Sequence, residues 1–154
     1  MFIQSLMQAH GLSGATRDLG TSARMNLATL DCPCGSALAY ERCCGRYHAG
    51  ALHLQAPDAA ALMRSRYSAF VLGLTDYLLA TWHATRRPTS PDADAAGVKW
   101  LGLELRHHAA QDADHATVEF VARSKLGGRA QRLHETSRFV REDGRWFYLD
   151  GDLS

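Results

Sequence analysis

Apolar residues recur along this chain with two different periods, and the change between them divides it. From Asp58 to about Leu74 the period is helical. Ala59, Leu62, Met63, Tyr67, Phe70, Val71 and Leu74 fall at i, i+3, i+4, i+8, i+11, i+12 and i+15, forming one stripe. Asp58 stands where an N-cap belongs, and Gly73 weakens the far end. Thr75 is placed to cap a second, shorter helix over "DYLLATWH", which "RRPTSP" terminates. Residues 88–96 read as a loop with room for one helical turn.

Downstream the period becomes two. Leu101, Leu103 and Leu105 alternate with polar neighbours, as do Val118, Phe120 and Ala122. "LHETSRFV" and "RWFYL" follow, with turns at "LGGR" and "EDGR". The pattern predicts an α+β fold: an antiparallel meander of about four strands packed on two to three helices.

Ahead of both periods, "CPCGSALAYERCCG" holds all four cysteines as C-x-C-x8-C-C. Disulfides fit poorly, because adjacent cysteines bridge only with strain. A thioredoxin-like site needs C-x-x-C, which is missing. Four thiolates instead make a closed tetrahedral zinc site, the structural form with no position left for water. Cys32, Cys34, Cys43 and Cys44 are therefore the expected ligands of a structural Zn2+. His48 is a possible substitute for Cys44. Gly35 allows the tight turn after the first pair, where backbone N–H groups can meet the sulfurs, and Arg42 and Arg46 offset the site's negative charge.

Composition narrows the classes. The chain has 154 residues, 46% hydrophobic and 21% charged, with a formal net charge of +1. That balance gives no support to nucleic-acid binding driven by bulk charge. No run is long enough to span a bilayer, and "MFIQSLMQAHGLSG" lacks the basic leader of a signal peptide. The expectation is a cytoplasmic protein with reduced thiols and no membrane partner. Residues 1–30 read as a flexible extension. Met25 begins "MNLATLDCPCG" like an ordinary start, so the first 24 residues are expected to be disordered or to come from an upstream start codon. The knuckle is assigned to 31–50 and the α+β domain to 55–154.

The cysteine stretch resembles the SEC-C motif, the zinc knuckle found at the C-terminus of the bacterial preprotein translocase motor and in stand-alone proteins. Gly35, Ser36, Tyr40 and Gly45 match its framework, while "ALAYER" replaces its usual lysine-rich middle. "LMRSRYSAFVLGLTDYLLATWH" and "HETSRFVREDGRWFYLDG" are similar to the YchJ family of bacterial proteins, with Ala84 in place of the usual proline. That resemblance implies a nuclear-transport-factor-2-like domain, a cystatin-like cone of curved sheet and helices around a cavity. It implies no activity.

One residue breaks the helical stripe. Arg66, at i+7, points into the apolar face, with Arg64 at its edge. A buried guanidinium needs a partner, and Glu135 or Glu104 is the expected carboxylate. Glu135 shares its strand face with Leu133 and Phe139. Tyr67, Tyr77, Trp82 and Trp146 are aromatics for core or pocket. His83 and His134 titrate near neutrality, and His107, His108 and His115 read as solvated. "RSKLGGRAQR", 123–132, is a basic hairpin that offers weak contact to a nucleic-acid backbone. A weak ribosome contact is implied only by the SEC-C resemblance of the knuckle. The aspartates at 92–94 and 112–114 mark acidic turns.

No G-x-S-x-G, phosphate-binding glycine loop or H-E-x-x-H is present. Two functions follow. The favoured one is an adaptor whose knuckle faces a protein partner. The alternative is a small-molecule binder or enzyme working in the cavity around Arg66, Tyr67, His83 and Glu135.

Overall fold

The computed structural model describes residues 29–89 and 97–154. Residues 1–28 of the expected extension and 90–96 of the expected loop lie outside them. A 3-10 turn, η1 (Tyr40–Arg42), and a one-turn helix, α1 (Gly45–His48), belong to the knuckle. Helices α2 (Ala59–Leu72) and α3 (Thr75–Ala80) follow. Four strands complete the chain: β1 (Val98–Ala110), β2 (His115–Leu126), β3 (Arg129–Glu142) and β4 (Arg145–Leu153). They pair antiparallel in the order β1-β2-β3-β4, a curved meander.

The ends of α2 follow local chemistry. The Asp58 carboxylate accepts from the Ala61 N–H at 2.7 Å, and Gly73 closes the helix in the left-handed region at φ 71°. Between those ends the helix is buried on more than one side. Leu62, Met63, Arg66, Tyr67 and Phe70 are buried, but so are Ser65 and Ser68, each 0% exposed. Val71, assigned by period to the stripe, is 36% exposed instead. Thr75 is the first residue of α3, not its cap. That helix stops at Ala80 because Thr81 and His83 turn to bond β4: Tyr148 N–H donates to Thr81 O and His83 N–H to Tyr148 O, both at 2.8 Å.

On the sheet's inner face Val118, Phe120, Ala122, Leu133, Glu135, Ser137, Phe139 and Tyr148 are buried, as alternation requires. Strand β1 departs from it. Register shifts between Trp100 and Gly102 and between Leu105 and His107 bend the strand and turn its faces over. Leu101 is therefore 51% exposed, while Trp100 packs edge-on to Tyr67.

Candidate functional site

The knuckle is built on a small ladder. Asp31 bridges Ala39, Cys32 N–H donates to Leu38 O, and Tyr40 N–H donates to Leu30 O, both at 2.8 Å. Gly35, at φ 79°, reverses the chain after Cys34, a turn that a side chain would strain. Turn η1 then carries the chain to Cys43 and Cys44, and α1 begins at once. All four Sγ atoms lie within 4.8 Å of one another. Cys34 to Cys43 is 3.6 Å and Cys43 to Cys44 is 4.0 Å. A tetrahedral site with Zn–S bonds of about 2.3 Å sets its sulfurs about 3.8 Å apart. The donor set and spacing fit one metal ion of that kind.

The thiols share charge unevenly. Hydrogen bonds from Cys32 and Cys44, with a smaller one from Ser36, hold Cys34 far below the usual thiol range. The bond from Cys32 pushes Cys44 up, and burial pushes Cys43 up. Cys43 and Cys44 thus resist ionising beside Cys34, and a bound cation would favour the thiolate form of each. Among the described residues the sulfurs meet hydroxyls rather than backbone N–H groups. Ser36 Oγ lies 3.1 Å from Cys43 Sγ, and Ser68 Oγ lies 3.5 Å from Cys32 Sγ. Arg46 reaches Cys43 O at 3.2 Å and Arg64 reaches Cys34 O at 3.3 Å, while Arg42 is exposed.

His48 serves the seam between knuckle and domain. Its Nε2–H donates to Ser65 O at 2.8 Å, so its Nδ1 accepts from Tyr40 OH at 2.6 Å. With both nitrogens engaged it is not a fourth ligand, and burial lowers its pKa. The ring also stacks edge-on against Tyr77, whose OH donates to Ser65 Oγ at 2.8 Å.

On the opposite side of α2, Arg66 is 3% exposed. Its Nη1 donates to Leu78 O at 2.9 Å and to Thr81 Oγ1 at 2.7 Å. The guanidinium lies over Trp82 at 5.0 Å and over Tyr148 at 4.7 Å. Burial lowers its pKa to about 10, which leaves it charged at neutrality. The expected carboxylate partners are engaged elsewhere. Glu135 Oε1 accepts from Ser137 Oγ at 2.7 Å and Tyr148 OH at 3.0 Å, and Glu104 pairs with Arg106 and Arg123 at the surface. Among the described residues Arg66 makes no ion pair. It replaces one with carbonyl, hydroxyl and aromatic faces. A cavity of about 20 Å³ lies between it and Glu135, bounded also by Met63, Phe70, Trp82, Phe120, Ser137 and Tyr148.

Comparison with known proteins assigns both halves. A family model described as "YchJ, middle NTF2-like domain" matches residues 58–151, and one for the SEC-C motif matches 31–46. The chain belongs to the YchJ family. A UPF0225 protein of Bordetella pertussis is 64% identical over 122 residues, 79% of this chain and 92% of that protein. One from Methylibium petroleiphilum is 63% identical over 126 residues. The solution structure of a SEC-C motif containing protein from Rhodopseudomonas palustris superposes with a TM-score of 0.71 at 34% identity. It covers 81% of this chain and 99% of that one. A crystal structure of a SEC-C motif containing protein from Psychrobacter arcticus gives a TM-score of 0.70 at 31% identity, covering 84% and 86%.

Within this YchJ-family chain the seven residues proposed for the cone separate. Arg66, Trp82 and Glu135 meet at one cavity. Tyr67 packs on Trp100, and Tyr77 faces the knuckle. His83 lies between Thr85 and Glu142, and Trp146 lines a surface groove with His53 and Arg141. His134 pairs with Glu119, a contact at 2.6 Å. Ser65 and Ser68 escaped the sequence reading, which puts Arg64 only at the edge of the apolar stripe. The three form a second helical stripe with Leu72, visible only once hydroxyls are allowed as interface residues. Tyr148, Ser137 and Gly151 also escaped it, although a glycine inside a strand is itself a mark of close approach.

Proposed function

We propose that this protein is a zinc-clamped adaptor of the cytosol. The four-cysteine site holds one structural Zn2+, which fastens the knuckle to α2 and fixes an outward surface for a protein partner. The observation that carries this reading is the burial of all four sulfurs, between 0 and 9% exposed, in one core with the domain. A site closed by protein on every ligand suits fastening rather than catalysis. Thiols kept free for metal require a reducing compartment. No helix among the described residues is long and apolar enough to cross a membrane.

Size argues the same way. Sites for organic ligands are commonly about 300–1,000 Å³, against about 20 Å³ for the cavity at Arg66. The knuckle's outer ladder leaves Leu30 and Leu38 40% and 51% exposed, and a small apolar depression joins Leu30, Pro33 and Tyr40 to Leu72 of α2. That apolar depression, spanning knuckle and helix, together with Leu38 on the same ladder, is where a protein partner docks.

The purified protein should carry about one equivalent of zinc, and Cys43→Ser should lose it. Immobilised zinc-loaded protein should retain a defined cytosolic protein that both Cys43→Ser and Leu38→Asp release, while Leu38→Asp keeps its metal. A metal-free, fully folded wild type would overturn the clamp. A partner that ignores both substitutions would overturn the docking surface.

A further inference from the structure

The cavity between α2 and the sheet holds two polar atoms that have no partner among the described residues. Glu135 is 1% exposed, and while its Oε1 takes two hydrogen bonds, its Oε2 is buried and takes none. Trp82 is 3% exposed, and its indole Nε1–H is likewise buried and unmatched. Both residues border the same space, as does Arg66. Buried polar atoms are almost always satisfied, by protein or by something bound. Here one needs a donor and the other an acceptor.

The carboxylate is held there by construction. Ser137 and Tyr148 fix Oε1, and Glu135 lies against Gly151 of β4, where a Cβ would overlap it. Arg66 and Glu135 already offset each other's charge around the space, so an added anion would face Oε2 and an added cation would face the guanidinium. The volume of about 20 Å³ exceeds the roughly 10–15 Å³ that one water needs, and it is too small for a ring or a long chain.

We propose that this cavity binds one compact neutral hydroxyl group, which accepts from Trp82 Nε1–H and donates to Glu135 Oε2. A water molecule or the end of a small alcohol supplies that chemistry. The site is independent of the zinc clamp and of the docking surface.

Crystals of the zinc-loaded full chain, grown without alcohols and then soaked in ethylene glycol, distinguish the two sources. An oxygen within hydrogen-bonding distance of both Oε2 and Nε1 is expected in each. It belongs to water where the diol leaves it in place, and to an alcohol site where the diol replaces it. In solution the Trp82 indole proton should cross-relax with bound hydroxyl protons. That signal should fall at least tenfold in Glu135→Leu and persist in Glu135→Gln. Should the leucine variant not fold, the wild-type and glutamine measurements still decide. An empty cavity, a direct Trp82–Glu135 bond, or an anion seated on Arg66 would overturn the proposal.

Discussion

A Cβ built on Gly151 overlaps the Glu135 carboxylate, so glycine and carboxylate divide one space between β3 and β4. Gly151→Ala should cost about 2 kcal/mol in wild type, the scale of overpacking in a closed core. In a Glu135→Ala background the same change should cost much less, and urea denaturation of the four proteins measures the difference. Equal costs in both backgrounds would count against the shared space. Burial raises the pKa of Glu135 above its ordinary 4.5. A carboxyl whose folded pKa is raised contributes stability that is complete below its unfolded value and is lost as pH rises through the folded value. Glu135→Gln should therefore gain stability relative to wild type as pH climbs from about 4.5 toward neutrality. Paired thermal melts across that range test the sign.

At the scale of elements, α2 shows what periodicity conveys and what it hides. The stripe of Leu62, Met63, Tyr67 and Phe70, the Asp58 cap and the intrusion of Arg66 were all legible, because each follows from helical geometry acting on one apolar face. The rear face was not. Ser65 and Ser68 count as polar on any hydropathy reading, yet they are buried because small hydroxyls let the knuckle approach and meet Cys32 and Tyr77. Strand β1 misled for a different reason. A bulge changes which side chains face inward without changing composition, so Leu101 and Trp100 exchange the faces that alternation assigns them. Ser68→Leu tests the rear face. Added bulk there should push the knuckle away, with a cost of roughly 1–3 kcal/mol and a weaker hold on zinc in competition with a chelator. Wild-type zinc affinity in that variant would deny the contact its role.

For the whole molecule, the matches at 31–46 and 58–151 name two modules, but the packing makes one body. That four cysteines gather could be read from spacing alone, since a cluster within thirteen residues is local. Their docking could not, because Ser68 lies 36 residues from the Cys32 that it meets. On the proposed zinc clamp, removing the metal should therefore be felt beyond the knuckle. Hydrogen exchange after chelation should rise in 32–48 and also in α2, while β2 and β3 stay protected, with a stability loss of roughly 3 kcal/mol or more. Exchange confined to the knuckle would mean that the two modules fold apart.

The rear face of α2 has a consequence for how the protein is made. Synthesis delivers the four cysteines before Ser65, Ser68 and Tyr77, so a growing chain carries its thiols ahead of the surface that buries them. On the proposed zinc clamp, metal capture and oxidation would compete for the same sulfurs until α2 emerges. Helix α2 thus ends a period of chemical vulnerability during translation, in addition to filling the core.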